Sequence, residues 1–178
     1  MTQAPVVVRE RATPINKRPA VRRDNSAATN RKPKSSGLDY LAIYRDAPLE
    51  RIKRVKAGVS AAEAKHILQD LAIPSGRVSE VLGIPVSTLN RKAKVAQRLS
   101  TDEGERILGL AKLVGQVQAM VEDSGDPKGF DARAWTAHWL NEPLPALGGA
   151  RPANLLDTME GQGLVSATLA RIQSGAYA

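Results

Sequence analysis

A chain of 178 residues with 42% hydrophobic but only 3% aromatic side chains has the material for one or two small domains built on an aliphatic core. It has no cysteine, and His66 and His138 are its two histidines, which excludes disulfides, thiolate metal sites and a histidine-rich metal centre. No apolar run reaches the ~18 residues of a membrane span and no signal-peptide pattern opens the chain, so a cytoplasmic protein without membrane contact is expected.

The formal charge of +8 is unevenly spread. Residues 1–37 carry nine Lys/Arg against two acids, residues 38–99 eleven against six, and residues 100–178 six against ten. A basic front of this kind favours a polyanionic partner, while the acidic back points elsewhere.

Residues 1–37 contain Pro5, Pro14, Pro19, Pro33, Ser35, Ser36 and Gly37 and show no sustained hydrophobic period, so a disordered basic tail is expected. A transit peptide would carry an amphipathic helix, which this stretch lacks. An unfolded tail of this length spans roughly 30 Å, about one turn of DNA, and would add phosphate contacts without reading sequence.

From Leu38 onward no β-branched alternation of strand length occurs, and the prediction is all-α. The first helix covers Leu38–Tyr44. Pro48 opens a second, with Ile52 and Val55 inward, and Gly58 stops it. Ser60 and Glu63 have capping-box spacing and start a third helix, whose buried stripe is Ala64, Ile67, Leu68 and Leu71. Pro74 ends it.

Ser75 to Lys94 has the form of a helix-turn-helix. Val78 and Leu82 make the inner face of a short helix, and small Ser79 lets the next helix cross closely. Gly83 supplies the left-handed turn, Ile84 anchors it, Pro85 starts the second helix and Leu89 packs that helix inward. This leaves Ser87, Thr88, Asn90, Arg91 and Lys94 outward as candidate DNA-binding residues, the side-chain types that reach base edges and phosphates. Lys92 departs from the pattern, because it occupies an inward position where an apolar residue is usual; Ala93 can take over the packing.

Ser100 with Glu103 forms a second capping box before a long helix striped by Ile107, Leu110, Ala111, Val114, Val117 and Val121, either core or a dimer seam through Leu110, Val114 and Val117. A loop covers 123–129, and Asp131 caps a helix bearing Trp135 and Trp139 one turn apart, a pair expected to hold the domain together. Leu147-Gly-Gly-Ala-Arg-Pro152 turns into a further helix starting at Pro152. Gly161 and Gly163 separate that helix from the last one. The domains read as a tail over 1–37, a helix-turn-helix domain over 38–99 and a helical dimerisation and partner-binding domain over 100–178.

Trp139-Leu140, Pro143, Leu147-Gly148-Gly149, Pro152, Leu155-Leu156, Thr158, Gly161, Val165, Leu169, Arg171-Ile172 and Gly175 follow one another at fixed spacings. In this order they resemble the C-terminal toxin-binding domain of Xre/MbcA/ParS antitoxins, and the upstream helix-turn-helix resembles the Xre-like domain of the same family. The resemblance covers about Leu38 to Ala178. It implies a cognate RES-domain toxin that consumes NAD or uses it to ADP-ribosylate a protein, an active site blocked by the antitoxin's C-terminal region, operator DNA bound for autorepression, and a homodimer within a larger complex. It makes Arg151 and Arg171 candidate toxin contacts and Ser174, Gly175, Ala176, Tyr177 and Ala178 candidates for occluding the NAD site.

An alternative reading is a helix-turn-helix regulator whose C-terminal domain only dimerises or binds a ligand. An enzyme is not expected: the residues show no nucleophile elbow, nucleotide loop, metal-ligand cluster or paired histidines, and no cofactor is implied. His138 beside Trp139 reads as packing.

Overall fold

The computed structural model describes residues 38–125 and 127–174. The basic tail over 1–37, and Gly175, Ala176, Tyr177 and Ala178, lie outside the described residues. The described residues belong to one compact unit. They form eight α-helices: α1 (Tyr40–Arg45), α2 (Pro48–Ala57), α3 (Ala61–Asp70), α4 (Val78–Leu82), α5 (Val86–Lys94), α6 (Thr101–Ser124), α7 (Ala132–Trp139) and α8 (Met159–Gln173). Short 3-10 turns precede α4 and, at Pro145–Leu147 and Pro152–Leu155, link α7 to α8. The only extended pairing among the described residues is an isolated bridge between Ser60 and Arg98.

The axis of the fold is α6. Its start is set by a complete capping box: Glu103 N–H donates to Ser100 Oγ at 3.3 Å and Ser100 N–H donates to Glu103 Oε2 at 2.8 Å. Along its length Gly104, Ile107, Leu108, Leu110, Ala111, Leu113, Val114, Gly115, Val117 and Ala119 are all buried. Such a helix is enclosed nearly all round. The dimer seam expected at Leu110, Val114 and Val117 is therefore corrected: these side chains are 0%, 1% and 2% exposed, enclosed by the chain's own helices. The apolar stripe could not distinguish the two cases, because core and seam share one spacing.

Around α6 the elements interlock through polar pairs as well as apolar faces. Gln116 Nε2 donates to the Ser166 carbonyl at 2.9 Å and Ser166 Oγ donates to Gln116 Oε1 at 2.7 Å, joining α6 to α8. Tyr40 Oη donates to Asp70 Oδ2 at 2.7 Å, tying α1 to the end of α3, with Arg133 of α7 3.8 Å from the same carboxylate. Arg77 Nη1 donates to Asn141 Oδ1 at 2.8 Å and straps the start of α4 to the end of α7. One hydrophobic core thus runs from Tyr40 to Leu169, across the boundary expected at residue 99.

Two further expectations change. Ile52 was expected inward but is 48% exposed, and no residue of α2 is fully buried. The face that α2 turns toward the fold is its arginine face: Arg51 donates to the Asp46 and Tyr44 carbonyls and Arg54 pairs with Asp46 at 2.8 Å. Val55 shares that face and packs on the core edge, while Ile52 is ~100° from Arg51 around the helix. Gly161 and Gly163 do not separate helices but lie inside α8. Thr158 caps α8 by accepting from Gly161 N–H at 3.1 Å, and a Cβ on Gly161 would sit 1.9 Å from the Leu155 carbonyl oxygen. There glycine lets α8 start directly against the preceding turn. Ser60 accepts from Glu63 N–H at 3.1 Å, the forward arm of the expected box at α3.

Candidate functional site

The segment from α4 to α5 has the geometry that its residues foretell. Val78, Leu82, Ile84 and Leu89 are 2%, 0%, 0% and 3% exposed, and Gly83 adopts φ +61°, the left-handed cap that a side chain resists. Ser79 is exposed rather than in the helix crossing, where Val81 is buried instead. On α5, Ser87, Asn90, Arg91 and Lys94 are exposed and Thr88 is half-buried, so the five residues expected to read DNA share a helix whose inward side chain, Leu89, is buried.

The Lys92 departure has a structural reason. Its ammonium lies 2.5 Å from Glu103 Oε2, with the two side chains 12% and 13% exposed. The same oxygen closes the capping box of α6. Burial alone would raise the Glu103 pKa, but hydrogen bonds from Lys92 and Ser100 and the Lys92 charge outweigh it and hold the carboxyl below its ordinary value. Helix α5 is thereby clamped to the central helix by a charge-assisted bond. Ala93 packs against the core beside it, as expected.

One further residue of this face was missed in the sequence. Lys65 of α3 donates to Asn90 Oδ1 at 3.2 Å. It sits between Ala64 and Ile67 on a helix read for its apolar stripe, and only the packing of α3 beside α5 brings it to Asn90.

In the C-terminal half, Asp131 caps α7 by accepting from Arg133 and Ala134 N–H at 2.9 and 3.2 Å. Burial alone would raise its pKa, but hydrogen bonds from Ala134 and from the Arg133 side chain, with the charge of Arg133, hold it below the ordinary value. The rings of Trp135 and Trp139 stack with centroids 5.9 Å apart, and Trp139 is buried, which makes them supports of the module. Arg151 is exposed at the entry to the Pro152–Leu155 turn, where its carbonyl accepts from Asn154 N–H at 3.0 Å. Arg171 is exposed in the last turn of α8 and donates to Thr168 Oγ1 at 3.1 Å. Ser174 caps the same helix and is exposed.

The buried side of α8 is Gln162, Val165, Thr168 and Leu169. Outward, Leu164 and Ile172 are 45% and 40% exposed. With Arg171 they fall in one sector of ~100° on the helix. His138 lies on the surface with Nε2 3.4 Å from Glu142 Oε1 on the next turn. No cluster of three or more His, Cys, Asp or Glu able to hold a metal occurs among the described residues, and no helix there is long and apolar enough to cross a membrane.

Residues 50–112 match the antitoxin Xre-like helix-turn-helix domain, and residues 116–175 match the antitoxin Xre/MbcA/ParS C-terminal toxin-binding domain. Both matches run into α6, so the junction between them falls within one continuous helix. The chain is 51% identical over 139 residues to a Prs ADP-ribosylating antitoxin of Sphingobium sp. (strain YBL2), covering 78% of this chain and 87% of that relative. It is 29% identical over 126 residues to an Antitoxin Xre of Yersinia enterocolitica, covering 71% and 80% of the two chains. Over 92 residues it is 27% identical to an Antitoxin Xre of Pseudomonas putida, 52% of each chain.

Proposed function

The chain belongs to the Xre/MbcA/ParS family of antitoxins, and from that premise we propose that it neutralises a RES-domain toxin by blocking the toxin's NAD site with its C-terminal module, and represses its own operon through the helix-turn-helix. The name carried by the Sphingobium relative favours a toxin that transfers ADP-ribose over one that only hydrolyses NAD.

The observation that carries the toxin-facing half is the outward sector of α8. Leu164 and Ile172 are left in water by a helix whose other side is closed, and Arg171 shares their sector at its edge. An exposed arginine beside apolar side chains that water does not favour is the chemistry of an interface anchor, with the arginine as its enriched residue type. Arg151 and Ser174 extend this polar contact, with Gly175, Ala176, Tyr177 and Ala178 entering the toxin's cleft. The DNA-facing half uses Ser87, Thr88, Asn90, Arg91 and Lys94. The complex holds a homodimer that pairs through surface side chains, since Leu110, Val114 and Val117 are enclosed.

Co-expression with the product of the neighbouring gene tests the first half. The unaltered protein should restore growth and cellular NAD and purify with that product. Leu164→Glu should keep the melting temperature, because the side chain is exposed, yet weaken the complex by at least ~10-fold, the loss expected of an interface anchor. Full neutralisation by a folded Leu164→Glu protein would remove α8 from the interface.

A further inference from the structure

We infer that Lys65 is a positioning residue for base reading, holding the amide of Asn90 in the orientation that selects adenine. This rests on the DNA-reading role proposed above. Asn90 is exposed on the flank of α5 that faces α3, and Lys65 of α3 donates to its Oδ1 at 3.2 Å.

The orientation follows from donor chemistry. A lysine ammonium has three donors and no acceptor, whereas an asparagine amide has an acceptor end and a donor end. Only the oxygen can face Lys65, because the amide nitrogen would set donor against donor. Nδ2 therefore points away from α3, and Oδ1 retains a second lone pair. An amide fixed in this way presents one acceptor and two N–H donors along the exposed side of the helix.

That pattern matches the major-groove edge of adenine, where N6–H donates and N7 accepts. Guanine offers two acceptors at the same edge, so the Asn90 oxygen would meet an acceptor there. Turning over would not help at guanine, but a free amide could turn to give Nδ2 to the lone O4 acceptor of thymine; one held by Lys65 cannot without losing a charge-assisted bond. Lys65 thus contributes to selectivity without touching the base. The other charged side chain whose bonding involves the reading helix, Glu103, binds Lys92 on the far side of α5 and leaves Asn90 alone.

The test uses the full chain, fluorescence anisotropy, and a duplex spanning the segment immediately upstream of the protein's own gene, with every base pair of the bound stretch replaced in turn. The unaltered protein should prefer A·T at one position, a preference that Asn90→Ala erases. Lys65→Met should reduce the preference at that same position by ~10-fold, within the 1–3 kcal/mol of a good bidentate contact, and leave the others intact. Lys65→Arg, which keeps the donor, should restore it. The salt dependence of binding should not change. If Lys65→Met weakens every duplex equally and lowers the salt slope by about 1, Lys65 is a phosphate contact and the inference is wrong. Unaltered discrimination in Lys65→Met overturns it too, with the DNA-reading role left standing. No binding of the upstream duplex by the unaltered protein overturns that role, and this inference with it.

Discussion

Replacing Gly115 by alanine is expected to lower the melting temperature by roughly 10 °C, through a loss of about 3 kcal/mol. On propensity alone the change should help, since alanine in a helix interior is favoured over glycine by ~1 kcal/mol. Packing decides otherwise. A Cβ at this point of α6 would sit 2.0 Å from the Tyr40 carbonyl oxygen, 2.7 Å from its carbon and 2.8 Å from Tyr44 Cβ. Two of those atoms are backbone and cannot rotate aside. Helix α1 would have to lift by about 1 Å, loosening Tyr40 and Ile43, which are 6% and 2% exposed. Gly163→Ala on α8 is the control, because nothing lies within 4 Å of its added methyl, and it should be neutral or stabilising. Thermal unfolding followed by circular dichroism compares the two. Equal melting temperatures would refute the claim that α1 seats on a bare stretch of α6.

Removing the carboxylate of Glu103 should be at least as damaging. Glu103→Ala strands the Lys92 ammonium in a part-buried site where its side chain is 12% exposed, a loss of about 3 kcal/mol, at the low end for a broken buried pair. It also deletes one arm of the α6 capping box. Lys92→Met should cost far less. It returns an apolar side chain to the inward position, and Glu103 keeps the Ser100 N–H. The pair also sets a dependence on pH. The folded-state pKa of Glu103 lies below the ordinary value of a glutamate, held there against burial by the hydrogen bonds and charge of Lys92 and by Ser100. Its contribution is therefore complete above that value and is lost as pH falls through the folded pKa. Urea midpoints at neutral pH and near pH 3 should show a large gap between the unaltered protein and Glu103→Gln that narrows in acid. A gap that stays constant with pH would assign the loss to the cap geometry instead of the charge.

Much of this fold is legible from residues that act on their immediate neighbours. Asp131, Ser100 with Glu103, and Gly83 announce their helix ends because caps and left-handed turns are local chemistry. The inner face of α3 and that of the helix-turn-helix follow from spacing. The misreadings share a cause. Ile52, Ser79, Gly161 and Gly163 were placed by pattern, but each depends on a neighbour remote in sequence or on the rotation of a whole helix. The ordered C-terminal motif lies within the stretch that matches the family's C-terminal domain, because its spacings too are local.

By itself, then, the sequence determined the all-α class, the helix-turn-helix, the family and the outward residues of α5, because periodicity, turn chemistry and motif spacing need no partner element to be read. The tertiary structure alone decided that Leu110, Val114 and Val117 are core, that Lys92 belongs against Glu103, and that Lys65 reaches Asn90. Each of these depends on which helix packs beside which. A spacing of three or four residues says that a face exists, and only the arrangement of α3, α5 and α8 around α6 says what covers it.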